Sequence, residues 1–285
     1  GKERGVQMRR LSLAMALMVG AALGGCSLLP AGVGPPLPAL GRTEVVQMLR
    51  ERAANFRSVQ DDDLTLIIEV VTESGMRRQP ALGGVMAFDS LRPGLWLRAE
   101  KLGQKVFSLR AGADYLWLEI PDTKEVVTGG RAAFAKLPQL VLPYDVMFWF
   151  GSPDWLGLSW GSTVMAVEPE CYRFDVMAGS LLLRSVLVDR RRVVVTRILD
   201  YDLLGRLSTE VSMDRHEEAQ GMLFPSRLTV WRPVAGCRIQ LRLGDPEFNR
   251  TISGDAFRPL NRPGWRHVDL DKEPLSSVKA FGGEP

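Results

Sequence analysis

GVMAFDSLRPGLWLRAEKLGQKVFSLRAGADYLWLEI, residues 84 to 120, decides the fold. Apolar and polar side chains alternate in short runs, the period of a half-buried strand. Turn signals separate the runs: Arg92-Pro93-Gly94, Leu102-Gly103-Gln104 and Ala111-Gly112-Ala113-Asp114. Connections this short join only antiparallel neighbours.

The pattern extends in both directions. Strands are expected at 64–72, 84–88, 94–100, 105–110, 115–120 and 125–128. A second series is expected at 162–167, 171–177, 181–189, 193–201, 206–213, 223–232 and 236–243. The sum is a mainly β fold, one long curled antiparallel meander, and such a sheet must close or cover its edges. One helix precedes it, from Thr43 as N-cap to about Arg57, with Val45, Val46, Leu49, Ala53 and Phe56 along one stripe. Val45, Leu49 and Phe56 are expected to pack on the sheet. Asp61-Asp62-Asp63 reads as a solvated turn, since three adjacent carboxylates cannot converge on one metal ion.

Between the two series the alternation stops. Residues 131 to 140 read as a short helix, and VLPYDVMFWFGSPDWLGLSW (141 to 160) comes next, rich in aromatics, with Asp145 and Asp154 its only charges. Only this stretch has enough aromatic surface to cover the apolar face of a curled sheet, so it is expected to plug the concave side. Phe148, Trp149 and Trp155 are the expected plug residues, with Leu97, Phe107 and Trp117 as candidate walls. A one-residue slip in register would exchange the wall set.

The N-terminus carries a different signal. Met8-Arg9-Arg10 is basic, and residues 11 to 23 are apolar but for Ser12. Thirteen helical residues span about 20 Å, short of a hydrocarbon core of about 30 Å, which fits a signal peptide. Leu23-Gly24-Gly25-Cys26 resembles the lipobox of bacterial lipoproteins, which implies cleavage before Cys26 and acylation (palmitate among the chains) of its thiol. Ser27 in place of Asp implies sorting to the outer membrane, with the domain facing the periplasm. The expected organisation is a signal peptide over 1–25, a lipidated cysteine and Pro/Gly tether over 26–41, a β domain over 42–270 and a disordered tail over 271–285.

Without residues 1 to 25 the 36 basic and 33 acidic residues fall to 32 of each, which removes the basic excess expected of a nucleic-acid reader. Arg190-Arg191-Arg192, the one basic run, reads as a solvated hairpin tip. Cys171 and Cys237 could pair or stay as free buried thiols. Gly157-Leu158-Ser159-Trp160-Gly161 matches a nucleophile elbow, with His216 and His267 downstream. But the residues after Gly161 read as strand, and the βα units that position an elbow are missing. No metal-binding, redox or nucleotide motif appears, so no metal, cofactor or enzymatic activity is expected.

The opening helix, then GGVMAF…LRPGLWLRA (83–99) and KVFSLRAGADYLWL (105–118), resembles the LolA/LolB lipoprotein-carrier superfamily and its uncharacterised lipoprotein branch. The resemblance covers about residues 43 to 130. It extends more loosely to Leu223-Phe224-Pro225 and to Phe248-Asn249 ahead of Phe257. It implies an unclosed β-barrel with a helical plug, whose cavity holds acyl chains of a lipid or lipoprotein, with a place in lipoprotein transport and localisation. Envelope proteins are the partners it implies. The contrasting expectation is a structural outer-membrane lipoprotein that acts through protein contacts and holds no ligand.

Overall fold

A computed structural model describes residues 39–91, 94–112, 114–134, 136–138, 140, 145–146, 153–158 and 162–279. Residues 39 to 285 form a compact unit of their own. Helix α1 (Arg42–Ala54) leads into strands β1 (Ser58–Thr72), β2 (Gly75–Arg78), β3 (Leu82–Asp89), β4 (Gly94–Lys101), β5 (Gln104–Ala111), β6 (Tyr115–Ile120) and β7 (Glu125–Gly130). One-turn helices α2 (Arg131–Phe134) and α3 (Pro153–Leu156) lie between the two series. The second series holds β8 (Thr163–Val167), β9 (Cys171–Ala178), β10 (Leu181–Asp189), β11 (Val195–Tyr201), β12 (Leu207–Ala219), β13 (Met222–Arg232) and β14 (Cys237–Arg242). Two short strands complete the order, β15 (Pro246–Phe248) and β16 (Arg266–Asp269).

All sixteen belong to one sheet, ordered β16, β7, β6, β5, β4, β3, β1, β14, β13, β12, β11, β10, β9, β8, with β2 and β15 adding to β1. The sheet is curled and not closed. Every pairing among the described strands is antiparallel except β16 on β7. Successive hairpins reverse direction, so their turns alternate between two edges. The upper edge holds the start of β1 and the turns after β3, β5, β8, β10 and β12. The lower edge holds the turns after β1, β4, β6, β9, β11 and β13.

Alternation decides which side chains face the core. Leu97, Leu109, Leu118 and Val127 are cross-strand partners, all at 1 % exposure or less, and they point to the same inner face. α1 lies on that face through Val45, Val46 and Leu49, while Phe56 stays partly exposed and meets Phe248 edge-on at 5.7 Å. The helix starts earlier than Thr43 implies. Gly41 caps it, and its N–H donates to the Glu44 carboxylate at 2.7 Å.

Two expectations are corrected here. Asp61-Asp62-Asp63 is not a turn but part of β1, at a bulge between Asp61 and Leu64. Asp61 is fully buried and accepts the N–H groups of Asp63 (2.7 Å) and Gly244 (3.0 Å). Burial raises its carboxyl above the usual range, against those bonds. The C-terminal tail does not fray at Asp271. Residues 249 to 264 strap the outer face of β4 to β6, and β16 then extends the sheet beyond β7. Gly130 N–H donates to Asp271 at 2.6 Å, and Val278 is fully buried. The strap is held by ion pairs and carbonyls more than by a periodic apolar stripe, so alternation does not announce it. The last residues of the tail, 280 to 285, lie outside the described residues, as do the signal peptide, Cys26 and most of the tether.

Candidate functional site

An apolar cavity of about 330 Å³ opens at the lower edge of the sheet. Phe107 and Leu118 form its floor, Ile68, Leu82 and Ile120 its sides, and Lys101 stands exposed at the rim. The register makes the space. Phe107 of β5 faces Ala99 of β4, so a large side chain stands opposite a small one, and the next pair outward, Lys105 with Glu100, turns to solvent after a bulge. The cavity is at the low end of the range of ligand pockets, about 300–1,000 Å³.

Leu140, from the segment between the two strand series, supplies another wall. Its position is fixed by an arginine that breaks the apolar inner row of β13. Phe224, Leu228 and Val230 face the core, and Arg232 comes next at the same parity. Arg232 donates from Nη1 to the carbonyls of Pro138 (2.7 Å) and Leu140 (3.0 Å), and from Nη2 to Asp145 Oδ2 (2.6 Å). Asp145 is fully buried. A buried carboxylate paired with a nearly buried guanidinium is costly to break, because either partner left alone keeps its desolvation penalty. At the other end of the segment Asp154 meets Arg50 of α1 at 3.5 Å, an exposed contact of small worth. The buried pair therefore ties Asp145 to the sheet, and the exposed contact ties Asp154 only loosely to the helix.

The expected site residues fall into three groups. Phe107 lines the cavity. Leu97 lies deeper in the core, 1 % exposed, and does not line it. Trp117 is corrected to the outer face: its neighbours Leu116 and Leu118 point inward, and its ring stacks edge-on against His267 at 5.7 Å. Phe148 and Trp149 lie outside the described residues. Trp155 sits on α3, whose Leu156 is fully buried, but its side chain is outside them too. Sequence reasoning missed Ile68, Leu82, Ile120, Leu140 and Arg232. Leu82 and Ile120 sit at strand ends beside turns, where alternation fades, and Ile68 lies within β1, on a stretch read as strand but not assigned to a wall. Arg232 had a signal, an arginine on the inward parity of a strand.

A second cavity, of about 290 Å³, lies at the upper edge between α1 and the β12–β13 turn, lined by Phe56, Phe224 and Phe248 with Arg52 and Glu218 at its rim. Among the described residues nothing gathers into a catalytic group. His216 lies in β12 opposite Pro225, not in a loop, and burial lowers its pKa. His267 is in β16, and Ser159 lies outside the described residues. Cys171 and Cys237 are both free, and burial, then the Glu168 carboxylate, pushes the Cys171 thiol up to about 11. Among the described residues no cluster could hold a metal ion.

A DUF1329 family protein from Desulfovibrio piger superposes on 76% of this chain and 95% of its own, with a TM-score of 0.53 at 12% identity. The chain has the fold of that protein. A putative outer membrane lipoprotein-sorting protein domain from Vibrio parahaemolyticus aligns with a TM-score of 0.49 (11% identity, 76% of this chain, 97% of that one). A LolA superfamily protein from Nitrosomonas europaea gives 0.48 (12% identity, 78% and 99%). At these identities the likeness concerns the fold alone. No family model and no curated protein matches the chain.

Proposed function

We propose that this domain is a LolA/LolB-like, non-enzymatic lipid-binding module that shelters an acyl chain of a lipid or lipoprotein in the lower cavity. One observation carries the reading. The cavity is walled almost wholly by apolar side chains, opens to solvent and, among the described residues that line it, has a single cation, Lys101, at its rim. An alkyl chain gains about 0.8 kcal/mol per methylene buried, and the ammonium suits an anionic head group. Residues 39–285 purified without detergent are expected to carry copurified lipid by native mass spectrometry. Fatty acids shortened by two carbons should bind about tenfold more weakly, and Leu82→Trp, which fills the rim, should abolish uptake. A wild-type domain that holds no lipid and takes up no fatty acid at any chain length would sink the proposal.

The proposal extends to location. The lipobox-like Leu23-Gly24-Gly25-Cys26 supports a protein anchored through acylated Cys26 at the outer membrane, its domain facing the periplasm, with a role in lipoprotein localisation. Several chains anchor stably where one does so marginally. Cys26→Ser should therefore leave an uncleaved precursor, read by mass and by membrane fractionation. Normal processing of that variant would refute the assignment.

A further inference from the structure

The lower edge of the sheet carries greasy turn tips, and we propose that this edge docks on an anionic lipid surface independently of any covalent anchor. Five large apolar residues among those described are more than 70 % exposed, and four belong to lower-edge turns: Leu102 (98%), Leu203 (80%), Leu204 (76%) and Val234 (76%). Of the five, only Leu91 (74%) lies on the upper edge. Leu102 adopts a left-handed backbone (φ 50°) that most residues avoid, so the β4–β5 turn spends conformational energy to present a leucine at its tip. The β1–β2 hairpin adds Val71 and Met76, about half exposed, beside the β13–β14 turn, where Val71 N–H donates to the Gly236 carbonyl at 2.7 Å.

Charge favours the same surface. Arg77, Arg78, Lys101, Lys105 and Lys124 are exposed on this edge, against Glu73 and Asp122. Asp202 is taken up by Arg206 at 2.8 Å, and Glu100 by Arg98 at 2.9 Å. Cations ringing apolar tips match a negatively charged bilayer, where each basic residue near the surface adds attraction that salt screens. The tips sit on separate hairpins of one edge rather than in a contiguous patch. That spacing suits shallow insertion between head groups better than a packed protein interface. The cavity mouth opens on this edge, so docking would bring it against the lipid. Docking does not depend on the cavity being filled.

The test is flotation of residues 39–285 with 100 nm vesicles of about three parts phosphatidylcholine to one part phosphatidylglycerol. Wild type is expected to float with the vesicles. The double variant Leu203→Ser/Leu204→Ser should partition about tenfold less and Leu102→Ser several-fold less, with circular dichroism unchanged. Leu91→Ser, on the other edge, should behave as wild type. Raising salt to about 0.5 M, or omitting phosphatidylglycerol, should weaken binding several-fold. Absence of vesicle binding by wild type, or equal loss in Leu91→Ser, would overturn the proposal. So would concentration-dependent self-association that the tip substitutions abolish in place of vesicle binding, which would assign the edge to a second copy. Flotation and copurified lipid are separate readouts, so either reading can fail alone.

Discussion

Asp145→Ala should lower the stability of the domain by about 3–5 kcal/mol, read as a fall in urea midpoint with an unchanged slope. The aspartate is fully buried and its Oδ2 takes the Arg232 guanidinium at 2.6 Å, while Arg232 is itself only 8 % exposed. Removing the carboxylate leaves that cation desolvated with backbone carbonyls alone. The double variant Asp145→Leu/Arg232→Met should recover most of the loss, since it removes both charges and keeps apolar volume. The two experiments separate stability from positioning. Arg232 also holds the Leu140 carbonyl, so the double variant, though stable, should bind acyl chains less well than wild type. A single variant within about 1 kcal/mol of wild type would show that the pair does not hold the segment.

Glu119→Ala should cost nearly as much, about 3–4 kcal/mol, through the opposite face of the sheet. Glu119 is fully buried between Arg110 Nη1 (3.2 Å) and Arg262 Nη2 (2.7 Å). Arg110 has nowhere to turn for water. It is 7 % exposed, its Nε donates to the Ala256 carbonyl at 3.2 Å, and its guanidinium lies 5.9 Å from the Trp96 ring. Burial lowers its pKa, and the Glu119 charge is the main force against that shift. Arg262 is more exposed, so Arg262→Ala should cost only about 1 kcal/mol. The ranking distinguishes a buried ion cluster from a general surface effect. Limited proteolysis offers a second reading, because loosening residues 254–262 should expose the strap to cleavage before the strands. Equal costs for Glu119→Ala and Arg262→Ala would contradict it.

Much of the fold was legible because alternation is a local signal. The strands at 84–120 and the helical stripe of Val45 and Leu49 follow from spacing alone, and the curled antiparallel sheet follows from short connections. What stayed hidden was not local. β1 extends back to Ser58 because buried Asp61 accepts backbone N–H groups, one of them from Gly244, far along the chain. In YLWLEI three apolar residues run together, so parity is ambiguous, and Trp117 falls outside while Leu116 and Leu118 face the core. The strap and β16 are fixed by Arg262 and Arg266 reaching Glu119 and Glu125, 143 and 141 positions away, which no periodicity reports. Of the candidate wall residues only Phe107 lies on the cavity, whose lining gathers residues from β1, β3, β5 and β6 that spacing does not bring together.

The position of β1 sets an order of events in time. On one side it meets β3, with Leu66 opposite Leu82 in a nearby hairpin. On the other it meets β14, with Val70 opposite Cys237, about 170 positions further on. Closing a loop that long costs about 4–5 kcal/mol of chain entropy before any contact rewards it. Both strand series can assemble hairpin by hairpin, at the microsecond pace of local pairing, but the step that joins them is the slow one. A chain emerging from its N-terminus therefore carries β1 half-paired, its free N–H and C=O row open to wrong strands, until β14 arrives.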